Sequence, residues 1–168
     1  MLRELHQELG IPDDYGRDGR RPVFEEAAEL VDVGPNLVGR MQRLTPETAR
    51  KWVEMVDAAA AEGVTLLMVS GFRGVEYQAR LIRKKINAGQ LVSDILTVNA
   101  APGFSEHHTG RAVDIATPGS RPLTEEFEDS DAFRWLTENA ARHGFTMTYP
   151  RDNRFGFVFE PWHWAQKA

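Results

Sequence analysis

The chain has no cysteine, which excludes a disulfide framework and a thiolate metal site but says nothing about redox compartment. Nowhere does an apolar run reach the length of a membrane span. The opening segment Met1–Glu8 lacks the apolar core of a secretory signal, so the chain as given reads as cytoplasmic. Basic excess is missing too. Twenty Lys and Arg stand against 25 Asp and Glu, a net charge of -5, so there is no general attraction for nucleic acid. The local cluster Arg80, Arg83, Lys84 and Lys85 reads as a solvated helix face. No internal repeat or low-complexity tract interrupts the pattern.

What remains, 168 residues of which 42% are hydrophobic, suits one domain with a core of useful size. Residues 1–43 are rich in Pro, Gly and charge and read as an N-terminal arm packed on a domain of residues 44–168. Thr45-Pro46-Glu47 starts a helix with a capping hydroxyl and a first-turn proline, and Trp52, Val53, Val56 and Ala60 form its apolar stripe. Val64–Val69 is strand-like. Further helices are expected from Val75 to Asn87, before Gly89, and from Ser130 to His143, stopped by Gly144. In the latter, Phe133, Leu136 and Ala140 face the core. Phe145–Tyr149 and Phe155–Phe159 read as two strands of a hairpin joined through Pro150–Asn153.

The chemistry concentrates in Ser105-Glu106-His107-His108-Thr109-Gly110-Arg111-Ala112-Val113-Asp114 and in Glu160-Pro161-Trp162-His163. A catalytic zinc takes three ligands from His, Asp or Glu and keeps a position open for water. His107, Asp114 and His163 can supply that set. In a strand over Arg111–Ala116, Asp114 shares its face with Ala112 and Ala116, small neighbours that leave room for a metal, while Val113 and Ile115 face the other way. His107 sits in a loop, and Gly110 lets the backbone turn between it and the strand. Glu160 can serve as general base, but in an unbent strand it and His163 face opposite ways. The chain must therefore bend near Pro161.

These motifs, with Ser70-Gly71-Phe72-Arg73 and Tyr77-Gln78, resemble the D-alanyl-D-alanine metallopeptidases of the VanY and VanX type, the LAS-type zinc peptidases, over roughly residues 45 to 164. The resemblance implies an α+β fold, a small mostly antiparallel sheet with a zinc site on one face and helices packed on the other, as in hedgehog and DD-peptidase domains. It implies His107, Asp114 and His163 as zinc ligands, Glu160 as the base of a zinc-bound water, and Arg73 beside the scissile carbonyl. Ser105 and Gln78 would contact substrate. Glu-Pro-Trp-His resembles the carboxypeptidase branch, so the implied activity is removal of a terminal D-Ala from peptidoglycan peptides. The alternatives are a D-Ala-D-Ala dipeptidase, an endolysin-like peptidoglycan endopeptidase, or a non-catalytic zinc-binding module. A wall-trimming enzyme meets its substrate in the cell envelope, which would require a removed leader or another export route.

Two departures stand out. Gly74 takes a place where relatives often have Ser, a good N-cap, and Ala165-Gln166-Lys167-Ala168 replaces an Arg and an aromatic residue. Taken singly, His107 beside an Asp is more often a structural hydrogen-bonding pair than a ligand; the combination reverses that. His108 competes with its neighbour for the metal; spacing to Asp114 and the family resemblance both favour His107, which leaves His108 as a rim residue in reach of substrate. Glu106 lacks the Glu-x-x-His relation and reads as exposed charge. For Trp162 and Trp164, groove and core are equally matched.

Overall fold

The computed structural model describes residues 1–167. In chain order the elements are α1 (Leu2–Glu8), β1 (Val31–Pro35), β2 (Met41–Leu44), α2 (Pro46–Ala61), β3 (Leu67–Ser70), α3 (Val75–Asn87), α4 (Val92–Val98), β4 (Ala112–Ala116), α5 (Asp131–Asn139), β5 (Phe145–Met147) and β6 (His163–Gln166). β1 and β2 form a separate hairpin, and the remaining strands make an antiparallel sheet in the order β3-β4-β6-β5. The architecture is α+β, as the sequence implied. No described helix is long and apolar enough to cross a membrane.

Two apolar clusters hold the elements. The first joins Val113 and Ile115 of β4 and Trp164 of β6 to Trp52, Met55 and Ala59 of α2 and to Trp135 and Leu136 of α5. Thr45 caps α2 by accepting from the Thr48 N–H at 3.4 Å. Its buried stripe is rotated from the one expected: Trp52, Met55 and Ala59 point inward, while Val53 is 50% exposed. The larger Trp52 and Met55 side chains set the face. α5 ends earlier than expected, at Asn139, and a tight turn over Ala140–His143 completes it before Gly144. The second cluster gathers Ala79 and Ile82 of α3, Ile95 and Leu96 of α4, Phe104, and Leu9 and Ile11 from the N-terminal segment.

Phe155–Phe159 is not a strand. The alternation of aromatic residues suggested one, but Asn153 takes over the backbone groups that a neighbouring strand would satisfy. Its Oδ1 accepts from the N–H groups of Phe155 and Phe157, and its Nδ2 donates to the carbonyls of Pro150 and Phe157. β5 pairs instead with β6.

Residues 1–43 carry more structure than their composition suggested, since β2 runs across the expected boundary at residue 43. Phe24 N–H donates to the Gly103 carbonyl at 2.8 Å and Ala27 N–H to the His108 carbonyl at 2.9 Å. Glu26 solves the problem posed by Gly74. The N-cap Gly74 has no side chain to offer α3, and the Glu26 carboxylate accepts from Val75 N–H at 2.5 Å in its place. A Cβ on Gly74 would meet that carboxylate at 2.9 Å. Glu26→Ala should therefore lower stability by about 1 kcal/mol, read as a drop of roughly 2–4 °C in Tm by circular dichroism. Adding Gly74→Ser to that variant should restore most of the loss. Gly74→Ser alone, with Glu26 in place, should not stabilise.

Candidate active site and metal centre

β4 and β6 pair so that Asp114 lies opposite His163. His107 arrives from a tight helical turn over Glu106–Thr109, capped by Ser105 Oγ, which accepts from His107 N–H at 3.3 Å. Gly110 ends that turn with φ +66°, a conformation glycine adopts without strain, and the chain passes directly into β4. The bend required before His163 is present: His163 N–H donates to the Glu160 carbonyl at 3.2 Å, closing a turn over Pro161 and Trp162.

The structure thus brings His107, Asp114 and His163 together, all buried, with one donor atom from each within 4.8 Å of the others. Asp114 Oδ1 lies 3.2 Å from His107 Nε2 and 3.2 Å from His163 Nδ1. Each imidazole has its other nitrogen engaged. His107 Nδ1 donates to the Gly71 carbonyl at 2.7 Å, and His163 Nε2 donates to Glu106 Oε1 at 2.9 Å. Those outer bonds leave His107 Nε2 and His163 Nδ1 as the inward lone-pair donors, the arrangement a metal needs from its histidines. This set of two imidazoles and a carboxylate fits zinc.

The electrostatics point the same way. Burial alone would raise the Asp114 carboxyl, but His107, His163 and Arg73 bring it well below the usual range. Burial opposes charge on His163, yet its bonds to Asp114 and Glu106 lift it to about 10. The centre therefore favours positive charge beside His163 Nδ1, where a cation can replace a proton. Burial and the Arg73 charge lower His107 to about 4, keeping it neutral.

Glu160 and Arg73 flank this cluster. Glu160 Oε2 is 3.7 Å from His163 Nδ1, and burial pushes its carboxyl up to about 7 against the opposing charge of His163. Arg73 Nη1 lies 3.7 Å from Asp114 Oδ2, and its buried Nε has no hydrogen-bond partner among the described residues. All five side chains line one pocket of about 310 Å³, together with Ser105, Tyr149 and Trp162, near the lower end for small-ligand sites. Gln78 does not line it. That side chain is 1% exposed and donates to the Ala100 carbonyl at 2.8 Å, behind the pocket wall. Trp162 faces the pocket, whereas Trp164 lies in the core.

Against known proteins, the model of the VanY family, described as D-alanyl-D-alanine carboxypeptidase, matches residues 41–166. The chain belongs to the VanY family. A D-alanyl-D-alanine carboxypeptidase of Enterococcus faecalis is 36% identical over 121 residues, covering 66% of this chain and 43% of that one. The LD-carboxypeptidase LdcB superposes with a TM-score of 0.74 at 31% identity, covering 86% of this chain and 71% of that one. A zinc(II) complex of a vancomycin-resistance D,D-pentapeptidase, itself a VanY, gives 0.63 at 31% identity over 82% and 78%. This VanY-family chain spans 41% to 65% of the length of the curated relatives it matches.

Three sequence expectations are corrected in this VanY-family site. Glu106 is not exposed charge; it is buried, and besides His163 it accepts from Thr148 Oγ1 at 2.6 Å and Lys167 Nζ at 3.1 Å. Burial would raise its carboxyl, but His163, Lys167 and Thr148 bring it down to about 2. His108 is no rim residue. It is fully buried, accepting from Gly103 N–H at Nε2 and so donating from Nδ1 to the Arg73 carbonyl at 2.6 Å. Lys85 leaves the solvated face of α3 and lines the pocket, while its neighbour Arg83 pairs with Glu8 at 2.6 Å. Tyr149 was missed altogether; its ring centroid is 4.7 Å from that of His163. Only the adjacency of Glu106 to His107 could have singled it out, since its partners lie 42 to 61 residues away.

One zinc ion per chain is the expected stoichiometry, lost in Asp114→Ala. Glu106→Gln should keep the fold but weaken zinc binding by roughly 10–100-fold, measured by competition with a chromogenic chelator. Unchanged affinity would remove Glu106 from the metal-supporting role.

Proposed function

We propose that the chain is a zinc-dependent D-alanyl-D-alanine carboxypeptidase that removes the terminal D-Ala from peptidoglycan peptides. One observation carries this reading: a buried carboxylate, Glu160, and a guanidinium with an unpartnered donor, Arg73, stand on either side of a His-Asp-His cluster in one pocket. A site that only held metal would need neither. The D-Ala-D-Ala specificity is carried over from the E. faecalis relative and the D,D-pentapeptidase.

His107 Nε2, Asp114 and His163 Nδ1 would hold the zinc. When bound, zinc supplies a Lewis acid that polarises the scissile carbonyl and acidifies a water. Glu160 takes the proton as the water oxygen adds to the carbonyl carbon, and its carboxyl, already raised toward neutrality by burial, suits that exchange. The same proton then passes to the departing amine as the C–N bond breaks. Arg73 donates to the carbonyl oxygen as it gains charge, an interaction that strengthens toward the transition state. Both its backbone groups are fixed, the N–H on the His107 carbonyl at 3.2 Å and the carbonyl by His108. Ser105 lies on the pocket wall, which supports reading it as a substrate contact. Gln78 supports that wall through Ala100.

A second reading, an L,D-carboxypeptidase acting on a tetrapeptide, is favoured by the LdcB likeness. Mass spectrometry of zinc-loaded protein incubated with a pentapeptide ending in D-Ala-D-Ala, and separately with the tetrapeptide lacking the last D-Ala, separates the two. Loss of one alanine from the pentapeptide upholds the D,D reading; loss from the tetrapeptide alone transfers the assignment. Glu160→Ala should reduce kcat by at least about 10²-fold while zinc stays bound. Arg73→Ala should cost roughly 10²–10³-fold in kcat.

A further inference from the structure

Lys85 occupies the last turn of α3, where a lysine is expected in solvent. Instead it is half-buried and lines the same pocket as Arg73, Asn99 and Ser105. Its ammonium donates to Asn99 Oδ1, a neutral acceptor. An ammonium can only donate, so the amide oxygen of Asn99 must face it, leaving the Asn99 NH2 as a second donor at the same spot. Burial and then the Arg73 charge lower the Lys85 pKa. Lys85 and Arg73 line the same pocket, and among the described residues the Lys85 ammonium contacts the neutral Asn99 and makes no ion pair with a carboxylate, an arrangement that favours an incoming anion.

We propose that Lys85 and Asn99 receive the free α-carboxylate of the substrate's C-terminal residue and so make the pocket select for chain ends. This rests on the carboxypeptidase reading, because the scissile carbonyl of such a substrate faces Arg73 and its terminal carboxylate lies one residue farther along the wall. Lys85 would thus be a specificity residue, acting in binding and not in the chemical step. The same contact made in the ground state and the transition state alters KM more than kcat.

The test compares diacetyl-L-lysyl-D-Ala-D-Ala with its C-terminal amide as substrates of the zinc-loaded chain and of Lys85→Met. The native chain should prefer the free acid by about 10–100-fold in kcat/KM, the scale of a charge-assisted hydrogen bond. Lys85→Met should raise KM for the acid by a similar factor, hold kcat within about threefold, and cleave the amide as the native chain does. Lys85→Arg should keep most of the preference. If Lys85→Met does not fold by circular dichroism, Lys85→Gln takes its place. An acid preference that survives loss of the ammonium overturns the proposal. Should the native chain cleave neither peptide, the hydrolase reading has failed separately, and calorimetric binding of acid and amide decides for Lys85. A preference erased by Lys85→Met then upholds the carboxylate site, and equal affinities reject it.

Discussion

The buried carboxylate of Asp114 is the constraint on which the rest of the site depends. A lone carboxylate with 3% exposure would be costly enough to neutralise itself. Here it stays charged because His107, His163 and Arg73 converge on it from three separate segments. Each approach has its own local cause. The register of β4 against β6 sets His163 opposite Asp114, the Ser105-capped turn and Gly110 deliver His107, and β3 leads through Gly71 to Arg73. A buried charge this heavily partnered loses much if any one partner is removed.

The adjacent pair His107-His108 shows how one short turn serves two ends. His107 points toward Asp114 and His163, while His108 points away and ties the Arg73 carbonyl to Gly103 N–H. Since Arg73 N–H also donates to the His107 carbonyl, the turn that carries His107 and the backbone that carries Arg73 are parts of one hydrogen-bonded unit. A shift in either displaces the other. Preorganisation of that kind is what electrostatic stabilisation of a developing charge requires.

Much of this was legible from the residues alone. Pattern sufficed for β4, where alternation put Asp114 with Ala112 and Ala116, and for α3, whose ends at Val75 and Asn87 matched the sequence signals. The bend at Pro161 followed from the period-two rule once Glu160 and His163 were asked to share a site. Sequence reading failed where a side chain's surroundings come from far along the chain. Lys85 sat in a basic run that looked solvated, yet it bonds to Asn99 and lines the pocket. Glu106 looked like an ordinary surface acid until β5 and β6 brought Thr148, His163 and Lys167 to it. Phe155–Phe159 had the alternation of a strand, but one side chain, Asn153, competed for its backbone and won.

The segment before β1 is part of the same argument, although it lies outside the region the family model matches. Arg21 donates to the Phe155 carbonyl at 3.0 Å, and its guanidinium lies 4.9 Å from the Phe157 ring centroid, so it braces the loop that leads to Glu160. Phe24 and Ala27 bond to Gly103 and to the carbonyl of His108, the two ends of the histidine-bearing stretch. Glu26 supplies the cap that Gly74 lacks, one residue after Arg73. Within a few residues this strap touches the loop that leads to Glu160, the turn that carries His107 and the start of the helix that follows Arg73. The glycine at position 74 is then intelligible: a serine cap there would crowd the carboxylate that caps the helix from outside. The departure from the family pattern and the strap compensate one another, and the pocket geometry belongs to the two together.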